Sequence, residues 1–322
     1  MYILKFKPIL KQVLWGGERI IPFKHLSNQL AMVGESWELS AVEGDESVVS
    51  EGELEGQTIS QLMNGFKGRL VGEENYTRFG GCFPLLIKFI DAAKDLSIQV
   101  HPDDAMAKRL YGKMGKSEMW YVMSAKPDSI LYSGFSRAIT PQEYEERVEN
   151  DTICEVLETH VVKPGDVFYI PAGRIHSIGA GILVTEIQQT SDLTYRIYDF
   201  GRLDDTGKLR KLHTELAREA IDYKVYSDYR VRYTKEENAS VPLLEAPCFT
   251  TSLYELTEPM VCDYSELDSF VIFICLEGKA LLIDDEDKET TISAGETVLI
   301  PAEMVEVKIF PEGNIKLLET YV

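Results

Sequence analysis

The chain has 322 residues, 44% of them apolar and 27% charged, enough for one large core or two moderate ones. Its formal net charge of -20, with no segregated basic run, excludes nucleic acid as a partner class. Five scattered cysteines without CxxC spacing, a lysine-interrupted start (MYILKFKPILKQV) and no apolar run near the roughly 18 residues of a membrane span predict a cytoplasmic chain with buried thiols and no membrane partner.

Short apolar or alternating runs dominate, separated by Gly, Pro, Asp and Asn. The first helix is predicted at TISQLMNGF (58–66), with Thr58 as its cap. FPLLIKFID (83–91) follows as a strand. LSIQVHPDD (96–104) reads as another, stopped by its proline. There Leu96, Ile98 and Val100 share one face, and Ser97, Gln99 and His101 share the other. A polar face of that kind meets either water or a site. PDDAMAKRLYG (102–112) is a helix ending at Gly112, and TPQEYEERVEN (140–150) carries a capping-box pattern at Thr140 and Glu143. Strands are expected at 117–124, 128–135, 166–172 and 182–189, then a helix at 212–222. Residues 226–240 read as a linker or edge segment. The last β unit has strands at 269–278, 279–284 and 297–302, with DDEDKE (284–289) as a solvated hairpin turn.

One repeat organises these strands. KPGDVFYIPAGRIHSI (163–178) resembles SAGETVLIPAEMVEVKI (293–309) at an offset of 130 residues, computed as 295 − 165 from the matched glycines Gly165 and Gly295. Glu306 stands where the first copy has His176. The expected fold is mainly β, two related jelly-roll β-barrels with a few short helices. The expected domains are 1–240, carrying the site, and 241–322, a degenerate copy that has lost it.

Of five histidines, two sit in informative contexts. His176 ends GDVFYIPAGRIH, which resembles the second cupin motif, G-x5-P-x-G-x2-H, whose histidine enters the barrel as a metal ligand. The first cupin motif is altered: Gln99 replaces its first histidine, and sixteen residues separate His101 from Glu118. Gln99, His101, Glu118 and His176 together offer two nitrogen and two oxygen donors, suited to a borderline divalent metal such as zinc.

Read together, VLWGGERI (13–20), GESWELSAVEG (34–44), FPLLIKFIDA (83–92), LSIQVHPDD, GKSEMWYVM (115–123) and YIPAGRIHSIGAGILVTEIQQTSDLTYRIYDFGR (169–202) resemble the type I mannose-6-phosphate isomerase family, in a short bacterial form of the cupin superfamily. The resemblance is strong from Trp15 to Arg202 and weaker beyond. It implies one zinc ion at Gln99, His101, Glu118 and His176, catalytic roles for Arg196, Lys116 and Glu186, and phosphate contacts by Ser97, Lys116 and Arg196. One departure is SDL at 191–193, where many members read SDN.

The implied reaction interconverts mannose 6-phosphate and fructose 6-phosphate through a cis-enediol. A base must take the C–H proton, charge on the enediolate oxygen must be stabilised, and the dianionic phosphate must be held. Lys116, Glu186 and a metal-bound water are all open as the base. A lysine beside a metal is expected to favour its neutral amine. Structural readings compete at several positions. Arg196 could pair with Asp192 or Asp199, Lys88 with Asp91, Trp15 and Trp37 could serve packing alone, and His25, His160 and His213 default to structural roles. The alternatives are a metal-dependent cupin oxygenase and a non-catalytic phosphosugar-binding cupin. A monomer or weakly held homodimer is expected.

Overall fold

Alternating side chains sort the strands into stacked sheets in the computed structural model, which describes residues 1–27, 30–204 and 206–322. In the strand Glu118–Ala125, Trp120 and Val122 join one apolar cluster while Met119 and Tyr121 join another on the opposite face. Ile90 and Val184 repeat the first choice on neighbouring strands, and Ile87, Phe89 and Ile187 the second. Both faces of this sheet are covered, which is why its strands read as nearly unbroken apolar runs.

The sheet has seven antiparallel strands, in the order Arg230–Val231, Val167–Ile170, Glu118–Ala125, Ile182–Gln189, Leu85–Ala92, Ile9–Gly17 and Val33–Leu39. One face meets a five-stranded sheet, ordered Leu157–Val161, Ile130–Phe135, His176–Ile178, Ile98–Val100 and Tyr195–Tyr198. The outer face of that smaller sheet is closed by the helices Asp104–Tyr111, Pro141–Glu149 and Thr214–Ala220, whose Met106, Tyr144 and Ala217 share a cluster with Ile98 and Val100. The other face of the seven-stranded sheet packs on a six-stranded sheet of the second half, through Phe83, Met119, Ile272, Leu299 and Leu318 among others. A four-stranded sheet completes that half.

The halves share one topology. Val167–Ile170, Glu118–Ala125, Ile182–Gln189 and Leu85–Ala92 lie side by side as Thr297–Ile300, Val271–Glu277, Ile315–Tyr321 and Phe249–Leu256 do in the second half. The smaller sheets match in the same way, except that Tyr195–Tyr198 has no counterpart. The two jelly rolls expected from the repeat are therefore present, each as a pair of facing open sheets. The halves are also stitched together, because Leu4–Lys5 pairs with Thr297–Ile300 at the edge of the six-stranded sheet.

Locally, the helix caps follow the sequence, except that the capping box expected at Thr140 and Glu143 is half formed, with the Glu143 carboxylate paired to Arg137 and Arg147 instead of the Thr140 backbone. Thr58 and Gln61 form a reciprocal capping box, and Thr140 accepts a hydrogen bond from the Glu143 backbone with Pro141 opening the helix. The strand expected across 96–101 is only Ile98–Val100, and Leu96 turns to the opposite cluster from Ile98 and Val100. Short helices at Ile20–Phe23, Gly68–Val71 and Glu73–Phe79 were not anticipated; four to seven residues are too few to register a helical period. The segment 226–240 includes a two-residue strand, Arg230–Val231, paired with Val167–Ile170.

Phe83 and Phe270 join the halves: both are fully buried, with ring centroids 4.7 Å apart. Phe270→Ala is expected to cost about 3–5 kcal/mol. All three tryptophans lie in the first half, so their fluorescence should lose stability together with far-UV circular dichroism. A shift in dichroism with unchanged tryptophan unfolding would mean the halves are energetically separate.

Candidate active site

The site forms where the two sheets of the first half face each other. Gln99 is paired in register with His176 on one side and Arg196 on the other. From the facing sheet, Glu118 stands beside Gln188, and Glu186 between Trp120 and Lys88. Antiparallel partners project side chains to the same side. Seventy-seven residues of separation between Gln99 and His176 thus become one contact, with Gln99 Nε2 3.3 Å from His176 Nε2.

His101, Glu118 and His176 are buried, and their candidate donor atoms all lie within 4.8 Å of one another. Each imidazole is oriented by a backbone carbonyl. His101 Nδ1 is 2.9 Å from the Leu193 oxygen, and His176 Nδ1 is 2.7 Å from that of Arg174. A carbonyl only accepts, so each proton sits on Nδ1 and each Nε2 keeps its lone pair for the site. Burial, reinforced by the Lys116 ammonium, drives His101 down to about 3, and burial also lowers His176. Burial alone would raise Glu118. The Lys116 ammonium outweighs it and holds the carboxyl well below its usual range. Glu118 Oε1 lies 3.4 Å from His176 Nε2 and has no hydrogen-bond partner. Two neutral imidazole nitrogens and a carboxylate whose buried Oε1 lacks a hydrogen-bond partner fit a divalent cation. Gln99 borders this set with its NH2 side while its Oε1 accepts from Ser97 Oγ at 3.1 Å, so ligation by the amide oxygen requires a half-turn of the amide.

In front of the triad lies a cleft of about 390 Å³. Ser97, Gln99, Lys116, Glu186 and Arg196 all line it. Lys116 is buried, ion-paired with Glu118, with Nζ 3.1 Å from His101 Nε2. Arg196 pairs with neither acid proposed for it. Asp192 is held by Lys113, and Asp199 by Arg202 and Arg210. Arg196 instead donates to the Lys211 carbonyl, and its Nε is buried without a partner. His213 supports it, accepting the Arg196 backbone N–H on Nδ1 at 3.1 Å.

Several cleft residues escaped the sequence reading. Lys88 does not pair with Asp91, which belongs to Arg19. Residues three apart on a strand point to opposite faces, and that alone separates Lys88 from Asp91. Lys88 Nζ lies 3.1 Å from Glu186 Oε1 and 3.6 Å from Glu35, off the hydrogen-bonding direction to Glu186 Oε1. Burial would lower its pKa, but Glu186, Glu35 and Glu118 together raise it. Glu186 Oε2 accepts from Trp120 Nε1 at 2.8 Å. Trp15 and Trp37, assigned to packing, also line the cleft.

Residues 3–130 match the family model for phosphomannose isomerase type I, catalytic domain, and residues 242–322 that for the mannose-6-phosphate isomerase cupin domain. Mannose-6-phosphate isomerase ManA of Bacillus subtilis (strain 168) is 34% identical over 313 residues, 95% of each chain. The chain belongs to the type I mannose-6-phosphate isomerase family. The enzyme of that name from Streptococcus mutans is 39% identical over 202 residues, covering 63% of this chain and 62% of its own. The crystal structure of the mannose 6-phosphate isomerase from Bacillus subtilis superposes over 100% of both chains with a TM-score of 0.89 at 28% identity.

Behind the triad, Gln188 is fully buried and its Nε2 donates to the carbonyls of Gln189 and Ser191, both at 2.8 Å. This pins the turn whose next carbonyl but one, that of Leu193, orients His101. Gln188→Met should weaken metal binding by roughly 10–100-fold in a chelator-competition titration. Unchanged affinity in a folded variant would show that the turn holds without it.

Proposed function

We propose that the chain interconverts mannose 6-phosphate and fructose 6-phosphate through a cis-enediol, with one zinc ion held by Gln99, His101, Glu118 and His176. The observation that carries this reading is the His101–Glu118–His176 cluster behind a cleft lined by Lys116, Glu186 and Arg196. The family's curated members carry the same activity in their names. Zinc in that donor set would polarise the sugar oxygens as a Lewis acid.

The chain's own groups account for the remaining tasks. Glu186 lines the cleft with Oε1 lacking a hydrogen-bond partner, so we assign it the transfer of the C–H proton between C2 and C1. Lys88 keeps a positive charge against it and Trp120 fixes its other oxygen. Lys116 is oriented by Glu118 and faces the cleft, where its ammonium suits a sugar hydroxyl or the phosphate. Arg196 brings a permanent charge to the developing enediolate or the phosphate, with Ser97 adding a hydroxyl donor. The facing sheets and Trp15, Trp37 and Trp120 limit water around the reacting carbons.

This reading assigns catalysis to residues 1–240 and leaves 241–322 without a metal site. There Val271 stands at the Glu118 position and Glu306 at that of His176. We further assign the reaction to the cytoplasm. The five cysteines are unpaired, and among the described residues no helix is long and apolar enough to cross a membrane.

A coupled assay of fructose 6-phosphate formation tests the reading. The metal-replete chain should turn over, lose activity on chelation and regain it with zinc. No activity in the metal-replete protein would overturn it. His101→Ala and His176→Ala should lose metal and turnover together, whereas Arg196→Ala should keep the metal and lose about 10²–10³-fold in kcat. Unchanged kinetics for Arg196→Ala would remove it from the mechanism.

A further inference from the structure

The second half keeps a cleft at the position of the first. Register fixes the correspondence. Ile170 pairs with Glu118 and Ile300 with Val271, so Trp120 corresponds to Phe273. Glu186 pairs with Trp120 and Lys88; Glu319 pairs with Phe273 and Ser252. Glu319 is therefore the counterpart of Glu186. Glu306 pairs with Asp263 on the solvent side of the smaller sheet, because the neighbouring pair Cys262 and Val307 turns into the core of the second half. Ile90 and Glu186 line the first cleft. Their counterparts Tyr254 and Glu319 line a second, of about 400 Å³, with Asp263 at its solvent rim.

The chemistry of this second cleft has changed in one direction. Lys88 is replaced by Ser252 and Lys116 by Ser269. No cation lines it. What is retained is a buried carboxylate, Glu319, which accepts from Tyr264 at 2.6 Å, with Asp263, Tyr254 and Ser240 around it. Carboxylates and phenol hydroxyls match the vicinal hydroxyls of a sugar, and tyrosine rings offer apolar faces to its C–H groups. Burial raises the pKa of Glu319, and a lining without cations gives a phosphate dianion no opposite charge to pair with.

We propose that the second cleft binds an unphosphorylated hexose. The inference rests on the reading of the first cleft as a phosphosugar site, from which the second differs by loss of its cations and of its metal set. It is a binding site without catalysis, separate from the isomerase centre.

Saturation-transfer NMR of the full chain with D-mannose tests it. Mannose should bind, and Glu319→Gln and Asp263→Ala should each weaken binding roughly tenfold, with isomerase activity unchanged. Asp263 is exposed, so its variant serves even if Glu319→Gln does not fold. Arg196→Ala should retain mannose binding. No transfer to mannose, binding abolished by Arg196→Ala but untouched by the second-cleft variants, or binding of mannosamine alone would each overturn the proposal. Absence of isomerase activity in the unmodified chain would instead overturn the reading of the first cleft, whatever mannose does.

Discussion

The site depends on two antiparallel sheets facing each other with side chains that alternate. Every second residue of a strand enters the space between them, and cross-strand partners enter side by side. Gln99 therefore brings His176 and Arg196 with it from one sheet, while Glu118 brings Gln188 and Trp120 brings Glu186 from the other. A slip of one residue in either sheet would turn this whole set outward. The apolar residues on the same strands hold that register, because Val122, Val184 and Phe168 must meet Leu131 and Ile178 across the gap.

Holding Lys88, Lys116, Glu118 and Glu186 almost entirely out of water is costly, and each charge is matched by an opposite one. Removing one member leaves its partner buried and alone. The same groups that ready the cleft for an anionic sugar thus make it rigid. Two of the buried oxygens without hydrogen-bond partners, Glu118 Oε1 and Glu186 Oε1, lie beside the histidine nitrogens and in the cleft.

The sequence made part of this legible. His101 and His176 stood in motifs whose spacing follows strand periodicity, and Gln99 shared their face of the chain. Glu118 needed the family resemblance, because sixteen residues including a helix separate it from His101. Lys88 was misread because its partners, Glu35 and Glu186, come from two other strands and no local spacing announces them. Leu193 contributes a backbone carbonyl, which no residue type signals. The retained Glu319 was hidden for another reason. The strand before it, Glu306–Pro311, is three residues longer than His176–Ile178, so the 130-residue offset that aligns His176 with Glu306 no longer aligns the glutamates: 319 − 186 is 133.

The central claim is that residues from both sheets converge on one zinc ion. An anomalous-difference map from crystals of the zinc-loaded chain, recorded on either side of the zinc absorption edge, tests it directly. The account predicts one peak in the first half, about 2.0–2.1 Å from Nε2 of both His101 and His176 and within bonding distance of Glu118 and the Gln99 oxygen. A zinc peak elsewhere, or none between those four side chains, would contradict it.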